Sequence, residues 1–102
     1  MIEQITIQVE DDTDDDVYYA PGTGPAATFH DETRWVISGI IEDIRSEARE
    51  GIASTGLTYV IDGTEVYSPG PRRLMTATHD AYTVDSTIEV TCREQRDGFY
   101  VI

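Results

Sequence analysis

The chain has no lysine: its seven basic residues are all arginine, set against twenty Asp and Glu in 102 residues, for a formal charge of −13. Without a basic face the usual source of nucleic-acid affinity is missing, because phosphate binding draws on clustered Lys and Arg. Cysteine occurs once, at Cys92, so no intramolecular disulfide can form and a bridge-stapled secreted domain is not expected. No basic-then-apolar opening and no long apolar run is present, which argues against a secretory signal and a membrane span. Nor is there an internal repeat, or a low-complexity stretch beyond one short Asp run.

The excess of carboxylates has a physical consequence. In dilute buffer such a chain repels itself over tens of ångströms, whereas the screening length in molar salt is roughly 3 Å. Guanidinium is weakly hydrated and pairs bidentately with carboxylates, unlike the compact, strongly hydrated ammonium of lysine. In this the composition resembles that of proteins from haloarchaea and their viruses. Leu, Ile, Val and Phe together number 23, a little above the one-fifth level below which a highly charged chain is expected to be disordered. One modest core in a single domain over residues 1–102 is expected, with a stability that depends on salt.

Ile5, Ile7 and Val9 alternate with Thr6 and Gln8, the pattern of a strand with one buried face. Residues 10 to 32 break every period: Asp11, Asp12, Asp14, Asp15 and Asp16, then Tyr18-Tyr19, then Pro21, Gly22, Gly24 and Pro25. A stretch of that length reads as a long mobile arm, a short extra strand around Val17 to Tyr19, or a partner-binding loop. Asp31 or Thr33 can cap a helix in which Val36, Ile37, Ile40, Ile41, Ile44 and Ala48 form one stripe, with Glu42 and Arg45 paired behind it and Gly51 as the stop. Gly39 would sit inside that helix at a cost of about 1 kcal/mol.

The second half reads as sheet. Leu57 to Ile61 and Thr64 to Tyr67 flank Asp62-Gly63, a type I′ hairpin signal that puts Leu57, Tyr59, Ile61 and Val66 on one face. Ser68-Pro69-Gly70-Pro71 is a loop. Leu74 to Ala77 and Ala81 to Val84 are weak strand candidates, while Ile88, Val90 and Cys92 alternate cleanly. Asp97-Gly98 would then fold Phe99 to Ile102 back onto Ile88 to Arg96, leaving an apolar edge that invites another chain.

Candidate sites are few. Counted as an EF-hand loop from Asp12, the Asp run has Val17 where glycine is needed and Thr23 where glutamate is needed, so diffuse cation condensation on a solvated loop is the reading. His30-Asp31 and His79-Asp80 could supply metal ligands if the fold brought them together. Cys92 keeps phase with Ile88 and Val90, which makes it a small buried thiol rather than a nucleophile. No catalytic residue, cofactor site or metal site is assigned. Arg72 and Arg73, the one concentration of positive charge, suit bidentate docking to an acidic neighbouring subunit. Tyr18, Tyr19, Phe99 and Tyr100 are the aromatic candidates for partner contact, since aromatics dominate interface hot spots, and Tyr67 and Trp35 suit either a partner anchor or the core.

The expected fold is α+β, one amphipathic helix packed on a mostly antiparallel sheet or small barrel of about five or six strands. The expected role is that of a non-catalytic subunit in a larger assembly, binding other protein subunits as a homo-oligomer or hetero-assembly, without direct contact to nucleic acid or membrane. Ile88-Glu89-Val90-Thr91-Cys92-Arg93-Glu94, beside an Asp-Gly hairpin, resembles the late strands of small head-to-tail joining proteins of tailed viruses. With the composition, that resemblance implies a virion component, or a protein of the cytoplasm of a halophilic host. Two other classes are open: an acidic inhibitor that mimics DNA in a basic groove, and a small metal-binding protein.

Overall fold

The computed structural model describes residues 1–11, 28–70 and 73–102. They form seven strands: β1 (Ile2–Glu10), β2 (Phe29–Glu47), β3 (Gly56–Ile61), β4 (Thr64–Pro69), β5 (Thr87–Cys92), β6 (Glu94–Arg96) and β7 (Phe99–Val101). There is no helix among the described residues, so the expected α+β architecture is corrected to an all-β half-barrel. The β3–β4 hairpin follows its sequence signal. Asp62 and Gly63 take φ of 45° and 80°, the two positive angles of a type I′ turn, and Tyr59 lies opposite Val66.

The helix expected after Thr33 is instead most of the 19-residue strand β2. Ile37 and Ile41 are fully buried and Ile44 is half-buried, an i, i+4, i+7 spacing that imitates a helical stripe. An irregularity in the pairing with β3, between Ile41 and Asp43, produces it. Inward positions are odd up to Ile41 and even from Ile44, because the extra residue of a bulge exchanges the two faces. Val36 and Ile40 belong to the outer face; Ile40 is 49% exposed. The β-branched run Val36, Ile37, Ile40, Ile41 and Ile44 suits a pleated sheet better than a helix. Glu42 and Arg45 do not pair: Glu42 accepts from the Gly63 N–H, and Arg45 reaches Glu65 at 2.6 Å.

β2 organises the sheet through three antiparallel partners. One edge carries β1 and β3 end to end, since Ser38 N–H donates to Met1 O and Asp62 N–H to Ile40 O. The opposite edge carries β5, from Trp35 opposite Cys92 to Ile40 opposite Thr87. From β3 the order continues to β4, then β7 in parallel, then β6. Arg93 alone separates β5 from β6, so one bent segment touches β2 at one end and β7 at the other, curling the sheet around its core. Gly39 permits the close approach of the β3–β4 turn: a Cβ there would lie 2.1 Å from Asp62 Oδ2, and its φ is 153°.

The main core holds Ile37, Ile41, Leu57, Tyr59, Ile61, Val66, Ile88 and Cys92, with a smaller cluster of Tyr67, Phe99 and Val101. The closing hairpin is shorter than expected, for β7 folds back on β6 alone while β5 belongs to β2. Phe99 and Val101 therefore join the smaller cluster rather than that of Ile88 and Cys92. Nor is β7 an open edge, because β4 and β6 flank it. The loop expected over residues 10 to 32 is also corrected at both ends: Glu10 ends β1 and Phe29 begins β2, paired with each other. Asp12 to Asp16 lie outside the described residues.

Candidate interaction surface

Beyond Trp35, where β5 ends, the pairings of β2 among the described residues are to β1 alone, so Phe29–Arg34 and Ile5–Glu10 run out from the core as a two-stranded ribbon. Directly opposed residues in an antiparallel pair share a face. Trp35 and Ile37 face the core, and Ile5, Ile7 and Val9 therefore lie on the outer face, opposite Arg34, Glu32 and His30. The three are half-buried while Thr6 and Gln8 are exposed, as the alternation requires, but they belong to neither core cluster. On the β2 side the apolar row is flanked by charged groups, with Arg34 Nη2 at 3.1 Å from Glu32 Oε2. On its other side lies the outer edge of β1, which pairs with none of the described residues.

His30 lies at the far end of the ribbon, opposite Val9. Its Nδ1 meets Asp11 Oδ1 and its Nε2 lies 3.6 Å from Glu32 Oε1. The hydrogen bond to Asp11 raises the His30 pKa, and the same contact lowers that of Asp11. The imidazole's share of stability is thus complete below pH 6.5 and is lost as pH rises through the folded value; the Asp11 share is present above 3.8 and is lost as pH falls. The His30 ring should titrate above 6.5, and Asp11→Asn should move its midpoint down, as followed by NMR of the ring protons.

A second polar cluster braces the opposite end of β2. Arg49 Nη1 lies 3.0 Å from Glu47 Oε1 and 2.9 Å from Glu65 Oε1, and its guanidinium stacks 4.0 Å above the centre of the Phe99 ring. Thr58 donates to Glu47 at 2.6 Å. That bond holds the Glu47 carboxyl below its ordinary pKa, and the bond from Arg49 does the same for Glu65.

Of the six residues read as partner contacts, Tyr18, Tyr19 and Arg72 lie outside the described residues. Arg73 is exposed and lines a shallow cleft of about 270 Å³ with Ser46, Thr55, Gly56 and Leu57. Phe99 is buried beneath Arg49 and edge-on to Tyr67, so its ring is engaged within the chain. Tyr100 is half-buried, tilted against Trp35 at 6.0 Å, with its hydroxyl 3.2 Å from Gln95 Nε2. The structure thus brings Phe99 and Tyr100 to the core and Arg73 to the surface, and unites none of the three in one patch.

Among the described residues no three His, Cys, Asp or Glu side chains stand close enough to hold a metal ion, the two His-Asp dipeptides included. Cys92 is fully buried, and burial pushes its thiol up to about 11. Sequence reasoning missed the outer edge of β1. Its signal was present: Gln4 to Val9 is an uncharged run of strand formers in an otherwise acidic chain. Comparison with protein families, with curated proteins and with solved structures found no match to this chain.

Proposed function

We propose that this chain is a non-catalytic, protein-binding subunit of a larger assembly that works in concentrated salt, with a virion component of a haloarchaeal tailed virus as the specific form. The observation that carries the reading is the long β1 edge, whose row of N–H and C=O groups is a template for another strand. It lies beside an outward apolar row that the core does not use. The composition supports the setting, because a surface so rich in carboxylates associates with other acidic subunits only where their mutual repulsion is screened.

Light scattering and circular dichroism across a salt series test this directly. In about 2 M KCl, where screening acts within a few ångströms, the chain is expected to be folded and associated. At roughly 0.05 M, where repulsion reaches beyond 10 Å, it should dissociate and lose β structure. A folded monomer at both ends of the series would remove the reading.

A further inference from the structure

We propose that two copies of this chain pair through β1, antiparallel and centred on Thr6, so that their sheets join into one. The proposal rests on the reading of the chain as an assembly subunit and names its first partner, a second copy.

The direction of the backbone groups is the starting point. Ser38 N–H donates to Met1 O, and Asp11 N–H donates to Thr28 O, each at 2.9 Å. Odd residues of β1 therefore aim their N–H and C=O at β2, and even residues aim theirs outward. Ile2, Gln4, Thr6, Gln8 and Glu10 present this outward row. The register with β2 is unbroken over nine consecutive pairs, from Ile2 to Glu10. Proline, lysine and a bulge, three of the devices that protect a sheet edge, are missing from β1, whose charges are Glu3 and Glu10 near its two ends.

The sequence of β1 then selects the partner. Turned about Thr6, the strand meets itself with Gln4 opposite Gln8 of the second copy, Ile5 opposite Ile7, Glu3 opposite Val9 and Ile2 opposite Glu10. No carboxylate faces a carboxylate, although each copy carries −13. Every outward N–H and C=O from Ile2 to Glu10 finds a partner, giving about ten ladder hydrogen bonds. Centring one residue later would set Glu3 against Asp11, and centring one earlier would leave Glu10 unpaired. A half-step either way would put Ile5 or Ile7 opposite Gln or Thr and turn the two apolar rows to opposite faces. Only the Thr6 register uses the whole strand.

The faces agree with the edges. In this register Ile5, Ile7 and Val9 of both copies lie side by side on the outer surface, covering the flank of the row that Arg34, Glu32 and His30 leave open. Aliphatic cross-strand pairs of this kind stabilise a ladder. Because the contact contains no ion pair while the two molecules repel each other as wholes, salt should strengthen it, the opposite of a charge-mediated interface.

Two substitutions at Thr6 test the geometry. Thr6→Pro removes one outward N–H and leaves the pairing with β2 intact. In about 2 M KCl it should raise the dimer dissociation constant measured by sedimentation at least about tenfold, with the β-sheet circular dichroism unchanged. Thr6→Cys places two thiols across the axis at about 5.5 Å between Cα atoms, within disulfide range. Mild oxidation should therefore yield a covalent dimer, and the buried thiol of Cys92 does not compete. Gln8→Cys should not cross-link, since its two copies are offset by four residues, about 13 Å. Association that survives Thr6→Pro, or cross-linking by Gln8→Cys in place of Thr6→Cys, would overturn pairing at β1 and leave the assembly reading standing. A wild-type chain that is monomeric at every salt concentration would overturn both.

Discussion

Ile41→Ala is expected to lower stability by about 2–5 kcal/mol, the cost of removing a fully buried aliphatic side chain from a core that cannot collapse around the gap. Ile40→Ala, one residue away, should change stability by no more than about 0.5 kcal/mol, because that side chain is half exposed on the outer face. The contrast separates strand from helix. On a helix the two positions are adjacent members of one stripe and both substitutions would be costly, whereas neighbours in a strand point to opposite sides. Urea titrations of the two variants at fixed high salt provide the comparison. The total stability of a domain this size is only about 5–15 kcal/mol, so Ile41→Ala should also need more salt to fold than the parent.

Arg49→Ala should cost about 2–3 kcal/mol, more than a typical surface ion pair. Three losses coincide: Glu47 and Glu65 lose their shared donor, and Phe99 loses the guanidinium that covers it. Arg49→Lys should recover only part of the loss, because an ammonium cannot span two carboxylates and an aromatic face with the same planar fork. The effect should depend on pH. Glu47 and Glu65 both have lowered pKa values, so their contribution is complete above 4.5 and is lost as pH falls through their folded values. Thermal melts across a descending pH series should therefore show a full gap between parent and Arg49→Ala at pH 7 that narrows progressively as pH falls below 4.5.

Much of the sheet was legible wherever a strand is local and regular. Asp62-Gly63 signalled its turn, and Leu57, Tyr59, Ile61 and Val66 face the core as their alternation requires. Ile88 and Cys92 likewise sit in it. The failures have one cause, that the deciding information is not local. A single irregularity near Glu42 converted two short alternations into an apparent helical stripe, and nothing in residues 33–48 alone distinguishes the two readings. Phe99 looked like an exposed anchor because its partner Arg49 is half a chain away. The β1 edge carries its signal in the six uncharged residues Gln4–Val9, but an edge becomes visible only once the neighbours of every other strand are known.

The triple pairing of β2 also governs the order in which the molecule can form. The β3–β4 hairpin closes over two residues and can appear in about 1–10 μs. β2 must hold Ile37 and Ile41 ready until β5 arrives from the other end of the chain, and such distant pairings place a domain among the slower folders, in the range of milliseconds to seconds. During that interval the middle of β2 is the segment most open to mispairing. Salt concentrated enough to let two finished molecules approach would equally remove the repulsion that keeps unfinished ones apart.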